Sequence, residues 1–173
     1  VSSENNHSYS NGGFIIAALM LERATKTSWT NLIAQFNKNY DVDIFPGFPS
    51  QEITTQTHGH KKKGGKYKAV APEDEYDFNF DFSPAGNLSI NIMDLSKVMA
   101  QHLEGLLGKD NILKSGTYKK LHYGLDDYAL GWYNGNIGDT EQKFSYHGGS
   151  LGTFSSAIMA SADREIVIII LVN

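Results

Sequence analysis

Tyr146-His147-Gly148-Gly149-Ser150-Leu151-Gly152-Thr153-Phe154-Ser155-Ser156, followed after one turn by Glu165-Ile166-Val167-Ile168-Ile169-Ile170-Leu171-Val172, decides how the chain is read. β-Branched and aromatic residues dominate both stretches, and small or polar turn residues bound them. Four strands are predicted here: Tyr128 to Tyr133, Lys143 to His147, Thr153 to Ala160 and Glu165 to Val172. Asn134-Gly135-Asn136 and Ser161-Ala162-Asp163-Arg164 supply turns. Short turns between consecutive strands imply an antiparallel meander. The last strand is apolar on both faces and so asks for cover on both sides.

Working outward, the part before residue 122 is mainly helix and loop. Phe14 to Leu21 is apolar almost throughout, follows Gly12-Gly13 and runs into Glu22-Arg23, which predicts a buried helix. A second helix is expected over Ser28 to Asn37, with Ser28 as N-cap and Trp29, Leu32, Ile33 and Phe36 at helical spacing. The two should pack as a pair. From Asn39 to Pro84 no periodicity persists, which reads as an elaborated loop region. Asn91 or Ser89 can cap a third helix carrying Met93, Leu95, Val98, Met99, His102, Leu103, Leu106 and Leu107, ended by Gly108. A short helix over Lys114 to Leu121 follows. The expected class is α/β (α+β), an antiparallel sheet over 122–173 flanked by the helices of 1–121.

Composition narrows the function. At 173 residues, with 40% hydrophobic and 20% charged residues, the chain can bury a real core. A net charge of -4 leaves no overall footprint for nucleic acid. The basic cluster Lys61, Lys62, Lys63, Lys66 and Lys68 sits among glycines and is balanced downstream by Glu73, Asp74, Glu75, Asp77 and Asp81, which reads as a solvated loop. The absence of cysteine excludes disulfides, thiolate metal sites and cysteine nucleophiles. The opening Val1-Ser2-Ser3-Glu4-Asn5-Asn6 has neither the basic nor the apolar part of a signal peptide, so the expectation is a removed leader or a start in mid-protein. The longest apolar run, Ile166 to Val172, is too short for a membrane-spanning helix.

Three stretches could carry chemistry. Tyr9-Ser10-Asn11 enters the first helix; read alone it is first of all structural, with Asn11 capping and Tyr9 packing. His147-Gly148-Gly149-Ser150 leads into a strand, where glycine can mark a bulge, a close ligand approach or simply a loop. Ser83-Pro84-Ala85-Gly86-Asn87-Leu88 precedes the helix bearing Asp94. His58-Gly59-His60 beside three lysines is poor evidence for a metal site, and none is expected. His102 reads as a packed or half-exposed side chain. Trp29, Trp132 and Tyr133 read as core, with Trp132 able to border a cleft.

Taken in order, the three stretches resemble the serine β-lactamase and penicillin-binding-protein-like family, which includes class C β-lactamases, D,D-carboxypeptidases, D-aminopeptidases and related esterases. Tyr9-Ser10-Asn11 is similar to its Tyr-x-Asn motif. Pro84-Ala85-Gly86 with Asp94 is similar to its Pro-Ala-Gly segment, and His147-Gly148-Gly149 with the strands beyond it to its Lys/His-x-Gly motif. The resemblance implies a β-lactamase/transpeptidase-like fold and a serine hydrolase acting on amide or ester bonds through an acyl-enzyme. It implies that Tyr9 moves protons to and from the nucleophile and leaving group, and that Asn11 donates its amide to the substrate carbonyl. His147, standing where many members have lysine, would line the cleft with Gly148 and Gly149 and orient substrate. The Ser150 N–H would be one oxyanion-hole donor.

One element of the family is missing from the sequence. No serine is followed three positions later by lysine; Thr117 with Lys120 is the nearest approach, in an expected surface helix. In the family Ser-x-x-Lys lies upstream of Tyr-x-Asn, so the reading is a partial domain over 1–173, incomplete at its N-terminus and by its bare last strand at its C-terminus, and inactive alone. Two functions stay open: part of a serine hydrolase whose partners are a small-molecule or peptide substrate and the missing N-terminal segment, or a non-catalytic penicillin-binding-like module for peptidoglycan or a protein partner. No cofactor is implied. The resemblance points to a bacterial periplasmic or cell-surface location. Residual apolar surface is expected, and with it a marginal or self-associating chain.

Overall fold

A computed structural model describes residues 9–49, 55–71, 74 and 80–173, which form two units. One comprises Leu95–Gly148 and Ala157–Ile170 with Tyr9; the other comprises Ser10–Asp94, Gly149–Ser156 and Leu171–Asn173.

The second of these begins with helix α1 (Asn11–Thr25). Ser10, not Asn11, is its N-cap: the Ser10 side chain accepts a hydrogen bond from the Gly13 N–H. Helix α2 (Trp29–Tyr40) is capped by Ser28, whose hydroxyl accepts from Asn31 N–H. The two helices pack as expected, and the Glu22 carboxylate of α1 accepts from the Trp29 N–H that opens α2. The expectation of a buried first helix fails. Among the residues of α1 only Ala18 is buried, while Ile16, Leu19, Met20 and Leu21 are at least half exposed. Its apolar side chains encircle the helix, but within its unit α2 and a 3₁₀ turn (Phe80–Ala85) are the neighbours that meet it.

The segment expected as loop holds regular structure. Strand β1 (Ile44–Pro46) pairs antiparallel with β4 (Leu88–Ile90), and β2 (His60–Lys63) pairs antiparallel with β3 (Lys66–Ala69). These strands are three or four residues long, too short for a period-two pattern to register. Asn37 ties α2 to β1 by donating to Ile44 O at 2.8 Å and accepting from Ile44 N–H at 3.0 Å.

Helix α3 (Ile92–Leu106) opens on Asn91, whose side-chain oxygen accepts from Asp94 N–H at 2.9 Å. Asp94 in turn accepts from Asn91 Nδ2 at 2.7 Å and from Asp43 N–H at 3.1 Å. From Leu95 onward α3 belongs to the other unit, where it meets α4 (Ser115–Tyr123) around a core of Met99, Leu106, Tyr118 and Ala160. The fit is closest at Gly105, where a Cβ would run into the Tyr118 ring.

The sheet runs β5 (Tyr133–Asn136), β6 (Lys143–Leu151), β7 (Phe154–Ser161), β8 (Ile166–Val172) in that order. β5 pairs antiparallel with β6, and the later connections are too short for a crossover, so the meander holds. Its first strand is displaced from the expected place. Tyr128 to Tyr133 is not a strand: Gly131 takes φ +94 and reverses the chain, leaving Tyr128 bridged to Tyr133. Asn134-Gly135-Asn136, expected as a turn, is the strand itself, and the turn falls at Ile137–Gln142, closed by Ile137 N–H to Gln142 O at 2.7 Å. β8 keeps Ile166, Ile168, Ile170, Leu171 and Val172 exposed, so apolar surface does remain.

Candidate active site

Tyr9 and His147 come together although nearly the whole chain separates them. Their ring centroids lie 6.4 Å apart with planes at 34°. Around them stand two tyrosines from the irregular turn and β5. Tyr128 meets Tyr9 edge-on at 6.0 Å and His147 at 6.3 Å, and Tyr133 lies 6.3 Å from His147 and 4.5 Å edge-on to Tyr128. Edge-to-face rings at these separations are attractive and hold one another's orientation. Tyr128 is buried, and burial first, with Tyr9 and Tyr133 adding to it, raises its phenol above the ordinary range, so it stays a neutral hydroxyl at physiological pH.

His147 rides on β6 and is half-buried; its Nδ1 is shut from solvent with no hydrogen-bond partner among the described residues. An imidazole nitrogen left in that state is costly unless something else binds it, which marks the ring as a functional candidate. Tyr9 is 47% exposed, so its ring is also reachable from solvent. Together they present a phenol and an imidazole, groups able to accept and return a proton.

The other candidates lie in the second unit. Asn11 is the exposed first residue of α1, with Ser10 relieving it of the capping duty. Gly148 closes the first unit and Gly149 and Ser150 open the second along β6, all three exposed. At Gly149 a Cβ would come within 2.7 Å of the Ser156 hydroxyl on β7, so this position cannot carry a side chain without shifting its neighbour. The stretch read in isolation as a loop is thus a strand. Gly86 of the Pro-Ala-Gly stretch takes φ +153 at the end of the 3₁₀ turn, and Ser83 and Asn87 beside it are buried.

A second polar constellation lay unnoticed in the sequence. His122 on α4 is fully buried; its Nδ1 lies 2.6 Å from Ser145 Oγ on β6 and its Nε2 lies 2.9 Å from His102 Nδ1 on α3. Trp132 stacks on His122 at 4.2 Å, so its expected core role holds. Burial pushes His102 from 6.5 down to about 4, and burial followed by the neighbouring His102 pushes His122 down to about 3. Both rings are neutral at pH 7 and exchange a single hydrogen bond. Ser145 has no exposed surface and hands its hydroxyl toward Ala160 O at 3.4 Å, which makes it a structural pin between α4 and the sheet. His122 was overlooked because an isolated histidine in Leu121-His122-Tyr123 carries no periodic or motif signal.

His58 and His60 engage hydrogen bonds, His58 Nδ1 with Val70 O at 3.1 Å and His60 Nδ1 with Asn173 Nδ2 at 3.4 Å. Among the described residues no three histidines or carboxylates gather as metal ligands. Thr117 is exposed on α4, as expected.

The sequence description of the Beta-lactamase family matches residues 2–173. The chain belongs to the Beta-lactamase family. Two solved structures share its fold. One is an octameric penicillin-binding protein homologue from Pyrococcus abyssi, 18% identical with a TM-score of 0.75, matched over 98% of this chain and 39% of its own. The other is a protein described as SurE, 20% identical with a TM-score of 0.75, matched over 96% of this chain and 41% of its own. This Beta-lactamase-family chain therefore spans about two fifths of the length of these relatives. None of the curated proteins matches it. Among the described residues no helix is long and apolar enough to cross a membrane.

Proposed function

We propose that this Beta-lactamase-family chain carries the proton-transfer and substrate-orienting part of a serine hydrolase site for amide or ester bonds, and that the serine itself lies outside these 173 residues. The observation that carries the reading is the approach of Tyr9 to His147, with the histidine's buried Nδ1 unpartnered among the described residues. Acyl transfer needs a group to take the nucleophile's proton and return it to the leaving atom; Tyr9 fills that role. His147 tunes Tyr9 and orients substrate, and Asn11 donates its amide to the substrate carbonyl. Gly148 and Gly149 keep the strand edge open to substrate, and the Ser150 N–H stabilises the developing oxyanion. The periplasm or cell surface of a bacterium is the setting such a hydrolase suits.

The absence of any Ser-x-x-Lys favours a second reading, a penicillin-binding-like module that retains the site for peptidoglycan or a protein partner without chemistry. The protein expressed from its complete reading frame separates the two. On the first reading it hydrolyses a chromogenic ester or β-lactam, and Tyr9→Phe lowers kcat by about 10²- to 10⁴-fold. Hydrolysis that is absent, or indifferent to Tyr9→Phe, leaves the binding module standing.

A further inference from the structure

The hairpin of β2 and β3 concentrates charge in a way that the rest of the chain does not. Gly64 and Gly65 join the strands with φ +59 and +78, the positive pair that a tight two-residue hairpin turn requires. The register sets Lys61 opposite Lys68 and Lys63 opposite Lys66. Since side chains alternate along a strand, these four lysines share one face, and Lys62 lies opposite Tyr67 on the other. All eight strand residues are exposed, Tyr67 at 72%. Like charges directly opposite on a ladder destabilise it, and Lys63, Lys66 and Lys68 make no ion pair among the described residues. The hairpin is nevertheless well anchored. Val70 N–H bonds Gly59 O at 2.8 Å, His58 Nδ1 meets Val70 O, and the Asn173 side chain donates to His58 O at 2.6 Å.

An anchored arm that holds Lys63, Lys66 and Lys68 without an ion pair among the described residues is complementary to a dense anionic surface. We infer that the β2–β3 hairpin docks this chain onto the anionic lipid headgroups of a membrane. Lysines near such a surface are attracted individually and additively. Two features favour a membrane over a nucleic acid. The arm offers one exposed ring and no groove, where single-strand binders line a channel with several. The chain as a whole is acidic, at -4, so a long polyanion lying along it would meet repulsion that a surface touched by one arm avoids.

The test is co-sedimentation of the purified chain with vesicles of phosphatidylcholine alone and of phosphatidylcholine mixed with phosphatidylglycerol. The chain should bind the anionic vesicles, lose that binding as salt is raised, and ignore the neutral ones. Each lysine contributes about a fivefold factor, so Lys63→Gln, Lys66→Gln and Lys68→Gln together should weaken binding about a hundredfold. Lys119→Gln with Lys120→Gln, both exposed on α4, should change it little, and unaltered circular dichroism shows that each variant folds. Equal binding to both vesicle types, a triple variant that binds as the parent does, or stronger capture by a single-stranded oligonucleotide than by anionic vesicles would overturn the inference.

Discussion

Helices α1 and α3 are each 15 residues long, and the more apolar of the two is the less buried. α1, Asn11–Thr25, seats one residue, Ala18; α3, Ile92–Leu106, seats Val98, Met99, Gly105 and Leu106. The difference is arrangement. In α3 the apolar side chains fall on one stripe and the polar ones opposite, so α4 and the sheet residues around Ala160 can take that face. In α1 the apolar residues surround the axis, and α2 and the 3₁₀ turn leave most of them exposed. Hydrophobic content therefore says that a helix could be buried, while the stripe says against what.

The comparison can be broken most forcefully at Gly105, where α3 touches Tyr118. Gly105→Leu drives a side chain into the ring and should destabilise the chain by about 3 kcal/mol or more, or prevent folding, as read by urea unfolding. A stable variant would mean that the α3–α4 approach is looser than described.

Acid should act on the same helix. The folded-state values of His102 and His122 lie below the ordinary 6.5, so the unfolded chain binds protons more readily. Their neutral forms stabilise the fold fully above about pH 6.5, and that stability is lost as pH falls toward about 4 and then 3. For His102 alone the fall amounts to on the order of 3 kcal/mol. A plot of unfolding free energy against pH should slope downward through this window, and His102→Gln should flatten it. A slope unchanged in the variant would move the acid sensitivity elsewhere.

A smaller loss is expected at the start of α3. Asn91→Ala removes the Asp94 N–H acceptor and should cost about 1 to 2 kcal/mol. On α1, Met20→Gln changes a side chain that is 67% exposed and should alter stability by no more than about 0.5 kcal/mol. Light scattering on that variant would show whether the exposed face drives self-association; reduced association at unchanged stability sharpens the contrast between the helices.

The same physics explains what could be read in advance. The α3 stripe, the Ser28 cap and the meander around His147 announce themselves through periodicity and turn chemistry, which act over a few neighbouring residues. The Tyr9–His147 approach was legible only through resemblance, because no local rule joins residues at opposite ends of a chain. The Tyr128–Tyr133 reversal was misread as a strand because a run of apolar and aromatic residues hid the work of Gly131. The β2–β3 hairpin was read as loop because lysine suits a solvated loop and an exposed ladder equally well. His122 and Ser145 were invisible, since a buried polar pair depends wholly on the tertiary partner that satisfies it.

The central proposal is that this family member holds the groups surrounding an acyl-transfer site without the serine that would be acylated. Intact-mass spectrometry after incubation with a fluorophosphonate or a β-lactam tests it directly. The expected result is an unmodified chain, since no serine here has lysine three positions on and Ser145, which is hydrogen-bonded to the His122 ring, is fully buried with that histidine neutral. Stoichiometric labelling of any serine, and of Ser145 above all, would contradict the account and place the nucleophile within the chain.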